Sequence, residues 1–176
     1  VRLEVKVHIV TGSNSVSQNI LKCVRRCGLE VNGLMLKPLA SSICVLSDDE
    51  KNLGVCMIDI GSGTTDLVVY KGGAIKHTAV VPIAGDHITN DIAKGLRTPI
   101  KEAEDIKRRY GSALKNLVSQ EQMISVPAIG DGESKELSIQ RLAEIIEPRV
   151  EELFDFVRNE LNMRRKAETF ELLDVP

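Results

Sequence analysis

Residues 3–10 (LEVKVHIV) alternate apolar and polar positions and are rich in β-branched side chains, the pattern of a half-buried strand. Ser13-Asn14-Ser15 then supplies N-cap candidates for a helix over 16–27, with Gly28 at the C′ position where a left-handed residue ends a helix. A second apolar run, EVNGLML at 30–36, reads as another strand, so the opening predicts a parallel βαβ-like unit. Residues 40–46 (ASSICVL) follow as a short apolar helix, and 47–54 (SDDEKNLG) as a polar connector. Three β-branched runs at 55–60, 65–70 and 74–81 are separated by GSG and KGG, the punctuation of consecutive hairpins, and predict a three-stranded antiparallel meander.

Pro82 and Gly85 close the meander, and Asp86 is the N-cap candidate of a helix running to Leu96. Thr98-Pro99 predicts the start of the next helix, with Pro at the first helical position, Glu102, Glu104 and Asp105 near its positive end, and Gly111 as its stop. Between 112 and 137 the pattern predicts one short strand at 123–126 and a turn at Gly130-Asp131-Gly132. Over 138–163, Leu142, Ile145, Ile146, Val150, Leu153, Val157 and Leu161 recur at helical spacing, a long amphipathic helix that Pro148 should kink. Residues 164–176 are charged and then mildly apolar, and no element is assigned to them.

The 176 residues are 43% hydrophobic, enough for a substantial core, so this is an α/β chain of one or two domains. Lys and Arg number 23 against 25 Asp and Glu, which leaves no broad basic surface for phosphate neutralisation and excludes nucleic acid as the expected partner. No apolar run approaches the ~20 residues that cross a bilayer. The opening at Val1, with no basic and apolar leader, reads as a cytoplasmic protein and as a piece of a longer one. Cys23 and Cys27 share a helix face, but no CxxC spacing occurs and His8, His77 and His87 are scattered. The four cysteines, with Cys44 and Cys56, are therefore expected as buried reduced thiols, and the histidines at surface or satisfied core positions.

Candidate chemistry concentrates in MIDIGSGTTDL at 57–67. A strand delivers Asp59 to a turn whose Gly61 and Gly63 are expected to take angles closed to other residues, leaving successive N–H groups to converge on one anion. A carboxylate beside a phosphate makes chemical sense if hydrated Mg²⁺ lies between them, so Asp59 is the candidate metal-facing group through water. Thr64 and Thr65 add hydroxyls and a further N–H, and Asp66 would orient water or hold the hairpin. The motif alone leaves a plain hairpin turn open as the alternative.

Read in order, DIGSGTTDLVVYKGG, PIAGDHITNDIA and EAEDIKRRYGSA resemble the second half of the actin-like ATPase superfamily, and most closely its FtsA family of bacterial cell-division proteins. The strand–loop KVHIVTGSNS, the helix with LASS and VL, the NLGV before the phosphate strand and the IEPR in the long helix extend the likeness from about Lys6 through Leu161. The resemblance implies an actin-like, ribonuclease H-like fold fragment, with 1–36 as the end of subdomain 1C, 37–85 as a connecting helix and phosphate-binding meander of subdomain 2A, and 86–163 as subdomain 2B. It implies ATP and Mg²⁺ as ligands. Asp59 would act on Mg²⁺ and water, and Gly61, Ser62, Gly63, Thr64 and Thr65 would cradle the phosphates. Gly85 and Asp86 would approach the ribose, and Glu104, Lys107 and Arg108 would lie along ribose and adenine.

The same resemblance implies that the C-terminal tail of the division GTPase FtsZ docks on 86–163, with Arg149, Glu151, Glu152, Arg158 and Asn159 as candidate contacts. It further implies self-association into filaments or dimers, other divisome partners, and a place on the cytoplasmic face of the inner membrane at the septum. Membrane contact would come through a C-terminal amphipathic helix that this chain lacks, since Arg164-Arg165-Lys166 is too short a basic run. The first phosphate hairpin and the glycine-rich adenosine strand of the superfamily are not found either, so weak or undetectable ATP binding is expected of this piece by itself. Where relatives begin the connecting helix with a water-positioning Glu or Gln, this chain has Lys37 before Pro38, and a cation takes no proton from water, so slow turnover is expected. The alternatives are a pilus-assembly adaptor of the PilM type and an active actin-like ATPase or phosphotransferase.

Overall fold

A computed structural model describes residues 3, 7–119, 121–130 and 132–167. The meander is present as β1 (Val55–Ile60), β2 (Thr65–Lys71) and β3 (Ala74–Val81), in the order β1-β2-β3. Its short connections leave no room for the crossover that parallel pairing needs, so both pairs are antiparallel hairpins. Gly72 and Gly73 take φ of 62° and 71°, the left-handed pair that a two-residue hairpin turn of the right twist demands. Central β2 is buried from Thr65 through Tyr70, which is why its apolar run is nearly continuous.

The chain divides into two units. The first comprises Val1–Ile58 and Leu67–Thr78. Its core is Met57, Val68 and Tyr70, against which Leu39, Leu46, Val55 and Ile75 pack. Helix α1 (Asn14–Arg26) ends as expected, with Gly28 at φ 74°. Helix α2 (Lys37–Val45) carries Pro38 in its first turn and is tied down by a hydroxyl chain. Ser42 donates to the Leu39 carbonyl at 2.8 Å, so at the 2.7 Å contact between the two hydroxyls Tyr70 must be the donor.

Three expectations fail in this unit. Among the described residues no strand forms at 7–10 or at 30–36, so the expected βαβ unit is not seen there; residues 4–6 of the first run lie outside the described residues. Alternation makes a face but does not supply a partner: Val7 and Ile9 are 72% and 79% exposed, and a strand exists only when its backbone finds a ladder. The polar connector is a helix, α3 (Asp48–Leu53). Ser47 Oγ accepts the Glu50 N–H at 3.3 Å, and the Ser47 N–H donates to Glu50 Oε2 at 2.7 Å, a capping box that the S-x-x-E spacing already spelled out. Finally, Cys23, Cys27 and Cys44 are exposed rather than buried, because α1 buries none of its residues and the Cys44 side of α2 is uncovered.

All four thiols are free. Cys56 is the half-buried one, and desolvation pushes its thiol up to about 11. Alkylation with iodoacetamide at pH 8 should therefore label Cys23, Cys27 and Cys44 well before Cys56, as read by peptide mass spectrometry; early labelling of Cys56 would contradict its burial.

The second unit comprises Asp59–Asp66 and Ala79–Pro176. Helices α4 (Gly85–Leu96), α5 (Ile100–Tyr110) and α6 (Ile139–Ala167) enclose, with the antiparallel pair β4 (Met123–Val126) and β5 (Lys135–Ser138), one core. Ile92, Ala103, Ile106, Ile124, Leu142 and Ile146 lead it. In α6 the buried Leu142, Ile146, Leu153 and Val157 are members of the expected stripe. The helix is continuous across Pro148, which is exposed. Strand β5 was not expected: KELS is four residues long and half charged, and only pairing with β4 at Met123↔Ser138 through Val126↔Lys135 makes it a strand. In the predicted turn Gly130 has φ 75°, and Asp131 lies outside the described residues.

Thr98 does not cap α5. It is buried, and its hydroxyl donates to the Pro127 carbonyl at 2.7 Å, tying the entry of α5 to the exit of β4. Just before it, Arg97 ends α4 in the left-handed conformation, φ 53° and ψ 52°. Arg97→Gly should therefore raise stability by roughly 0.5–1 kcal/mol, the relief of backbone strain outweighing glycine's extra freedom when unfolded. A lowered urea midpoint in this exposed variant would contradict that account.

Candidate functional site

Asp59 lies half-buried near the end of β1, and the chain then turns through Gly61, Ser62, Gly63 and Thr64 into β2. The Gly61 N–H donates to the Thr64 carbonyl at 2.9 Å and closes the turn. Neither Gly61 nor Gly63 has a positive φ, so the expected need for left-handed angles is corrected: close approach and open space distinguish these positions. Two backbone bonds seat the turn on the start of α4, from Gly85 N–H to the Gly61 carbonyl at 3.1 Å and from Asp86 N–H to the Ser62 carbonyl at 2.7 Å. A Cβ on Gly85 would lie 3.3 Å from that Gly61 oxygen.

This seating determines what the turn presents. In a trans peptide the N–H points opposite to the C=O, so with the Gly61 and Ser62 carbonyls turned to α4, the N–H groups of Ser62 and Gly63 point away from it. Ser62, Gly63 and Thr64 are exposed, and nothing lies within 4 Å of a Cβ placed on Gly63. The result is a pair of successive backbone donors directed away from α4 on an exposed turn, a disposition suited to receiving an anion. Thr65 is different. It is fully buried, and its hydroxyl donates to the Ile83 carbonyl at 2.6 Å, so its side chain braces the turn from beneath. Asp66 is buried and partnered as β2 begins.

Asp86 stands exposed inside the first turn of α4 rather than capping it; the Ala84 N–H there donates to His87 Nδ1 at 3.2 Å. Glu104 and Lys107, one turn apart on α5, converge on the same end of α4. Lys107 Nζ lies 2.6 Å from Glu104 Oε2 and donates to Thr89 Oγ1 at 2.7 Å and to the Gly85 carbonyl at 3.2 Å. Thr89 Oγ1 is also 2.5 Å from Glu104 Oε2. Thr89 was not anticipated: nothing in sequence order links it to a carboxylate on the next helix, and its placement one turn after Gly85 is the only signal that could have found it. Arg108 is exposed and outside this cluster. The fold thus gathers Asp59, residues 61–64, Gly85, Asp86, Glu104 and Lys107 in one unit.

The bonds from Lys107 and then Thr89 hold the Glu104 carboxyl below its ordinary value. Its contribution to stability is accordingly present above the ordinary carboxyl value and lost as pH falls through the lowered one. Lys107→Met should move the Glu104 titration upward, read from the side-chain carboxyl ¹³C shift; an unchanged titration would mean that the ion pair is not formed in solution.

On α6, Arg149 grips Asp91 of α4 through two bonds of 2.6 and 3.1 Å and also pairs with Glu152, so it joins two helices. Arg158 is exposed and pairs with Asp155 at 2.8 Å, and Glu151 and Asn159 are exposed. Among the described residues no cluster of three or more metal-ligating side chains occurs and no helix is long and apolar enough to cross a membrane.

A family model described as cell division protein FtsA matches residues 56–172. The chain is 58% identical over 161 residues to cell division protein FtsA of Pseudomonas aeruginosa, an alignment covering 92% of this chain and 39% of that protein. The chain thus spans well under half the length of the curated relatives it matches. Among solved structures, MreB5 of Spiroplasma citri bound to ADP superposes with a TM-score of 0.69 at 25% identity, covering 86% of this chain and 49% of that one. A PilM–PilN type IV pilus biogenesis complex superposes with a TM-score of 0.63 at 23% identity, covering 85% and 36%, a likeness of fold alone. The fold is actin-like.

Proposed function

The chain belongs to the FtsA family of cell-division proteins, and on that premise we propose that it is part of a nucleotide-binding, actin-like adaptor that polymerises on the cytoplasmic face of the inner membrane and tethers FtsZ at the septum. The observation that carries the nucleotide half is the seated turn: two α4 N–H groups hold the Gly61 and Ser62 carbonyls, which turns the Ser62 and Gly63 N–H groups away from α4 on an exposed turn. ATP would supply the phosphates and Mg²⁺ the charge that lets an acid stand beside them. The chain's own part is to bind and orient. Residues 61–64 would receive the phosphates, Thr65 braces the turn, Asp59 would face the hydrated metal, and Gly85, Asp86, Glu104, Lys107 and Arg108 would form the nucleoside side. Lys37, a cation at the start of α2, is no base for an attacking water, so turnover is slow and nucleotide acts chiefly on assembly.

For the partner half, α6 offers exposed Arg158 and Asn159. Arg149 and Glu152 engage an FtsZ tail only by giving up bonds they already make, Arg149 with Asp91 and the two with each other. The test is calorimetric titration of an FtsZ C-terminal tail peptide into the folded chain, with a pilus-protein peptide as comparison and ATP·Mg²⁺ titrated separately. Saturable binding of the FtsZ peptide alone, weakened several-fold by Arg158→Glu, is the expected result. Preference for the pilus peptide would move the assignment to a PilM-type adaptor.

A further inference from the structure

The hydroxyl of Thr89 is buried between the first turn of α4 and the face of α5 that carries Glu104 and Lys107. Lys107 donates into Oγ1 at 2.7 Å, which leaves the single Thr89 proton two acceptors, Glu104 Oε2 at 2.5 Å and the Gly85 carbonyl at 3.1 Å. The shorter, charge-assisted bond wins, so the proton goes to Glu104, and the Gly85 carbonyl is held by Lys107 at 3.2 Å. Lys107 has three N–H donors and three acceptors around it here: Glu104, Thr89 and the Gly85 carbonyl. The N–H of the same Gly85 holds the Gly61 carbonyl. An unbroken run of bonds therefore leads from the α5 ion pair, through Thr89 and Lys107, to the turn at 61–64.

We propose that Thr89 is a positioning residue that locks the Glu104–Lys107 pair to the first turn of α4, so that the nucleoside side and the phosphate turn of the site move as one body. This rests on the nucleotide reading above for its purpose, though not for its geometry. A ligand oxygen entering beside Lys107 must displace one of its three acceptors, and the long bond to the Gly85 carbonyl is the one most readily exchanged. The peptide that carries this carbonyl also carries the Asp86 N–H that holds the Ser62 carbonyl, so loss of the Lys107 bond reaches the phosphate turn through one peptide unit and couples occupancy of one part of the site to the shape of the other.

The test compares the wild-type chain with Thr89→Val, which keeps shape and removes the hydroxyl, and with Thr89→Ser, which restores it. Amide exchange at Gly85 and Asp86 is read against Ile124 and Val126 as internal references, and ATP·Mg²⁺ affinity is measured in parallel. Expected are exchange about tenfold faster at Gly85 and Asp86 in the Val variant, unchanged references, and affinity about tenfold weaker, one charged hydrogen bond's worth, with Ser within about twofold of wild type. In a Lys107→Met background Thr89→Val should add little, since a residue acting through Lys107 gives non-additive effects. Unaltered exchange at Gly85 and Asp86, or full additivity with Lys107→Met, overturns the proposal. If the Val variant fails to fold, faster exchange at the same amides in Lys107→Met supports the lock and unaltered exchange there overturns it. Exchange that responds as expected while a measurable ATP·Mg²⁺ affinity stays unchanged upholds the lock and counts against the nucleotide reading instead.

Discussion

Ile92→Ala should cost ~2–5 kcal/mol of unfolding free energy, the range for truncating a fully buried aliphatic side chain whose surroundings collapse only in part. Ile92 is completely inaccessible and sits on α4 amid Ala103 and Ile106 of α5, Ile124 and Val126 of β4, and Leu142 and Ile146 of α6. The consequence reaches the site because α4 is the element on which the phosphate turn is seated, through Gly85 and Asp86. Urea unfolding followed by far-UV circular dichroism should show a lower midpoint with little change in slope. A loss below ~1 kcal/mol would mean that α4 is not packed into this core.

The next largest effect is expected at Gly85. Its Cβ position is 3.3 Å from the Gly61 carbonyl oxygen and 3.6 Å from Lys107 Nζ. The oxygen is fixed backbone, whereas the ammonium is a flexible end. Gly85→Val adds methyl groups beyond that Cβ, so the turn has to leave its seat on α4. The expected cost is ~1–3 kcal/mol, the usual price of overpacking, with amide exchange accelerated at Asp86 and Gly61. ATP·Mg²⁺ binding, where present, should fall more than tenfold. Gly63→Ala is the contrasting control: nothing lies within 4 Å of its Cβ, so stability should hold within ~0.5 kcal/mol, and any loss of phosphate binding then reports the cradle alone. Equal destabilisation by the two variants would refute the seating.

The elements legible along the chain are those whose signal is local. The boundaries of β1 and β3 match the β-branched runs because glycines delimit them, Gly28 marks a helix end by its left-handed φ, and Gly111 marks one where a Cβ would meet the Lys107 carbonyl. Helix α6 was legible because a long stripe at 3.6-residue spacing has few other uses. The runs at 7–10 and 30–36 carry a strand's alternation and are not strands, whereas KELS at 135–138 carries almost none and is one. Pairing is a property of two segments, and no single segment encodes its partner.

For the candidate site the same division holds at the scale of atoms. Residue type and order brought forward the DIGSGTT turn, and the resemblance of the blocks around it to the FtsA family added the glycine at 85 and the charged residues 104 and 107. Tertiary structure decided how their bonds are distributed: that the Thr65 hydroxyl is spent on Ile83, that Arg149 is committed to Asp91, that Asp86 does not cap its helix, and that Thr89 stands between Glu104 and Lys107. A hydroxyl has one proton and an ammonium three, and which acceptors receive them depends on helices that meet only after the core around Ile92 and Leu142 has formed.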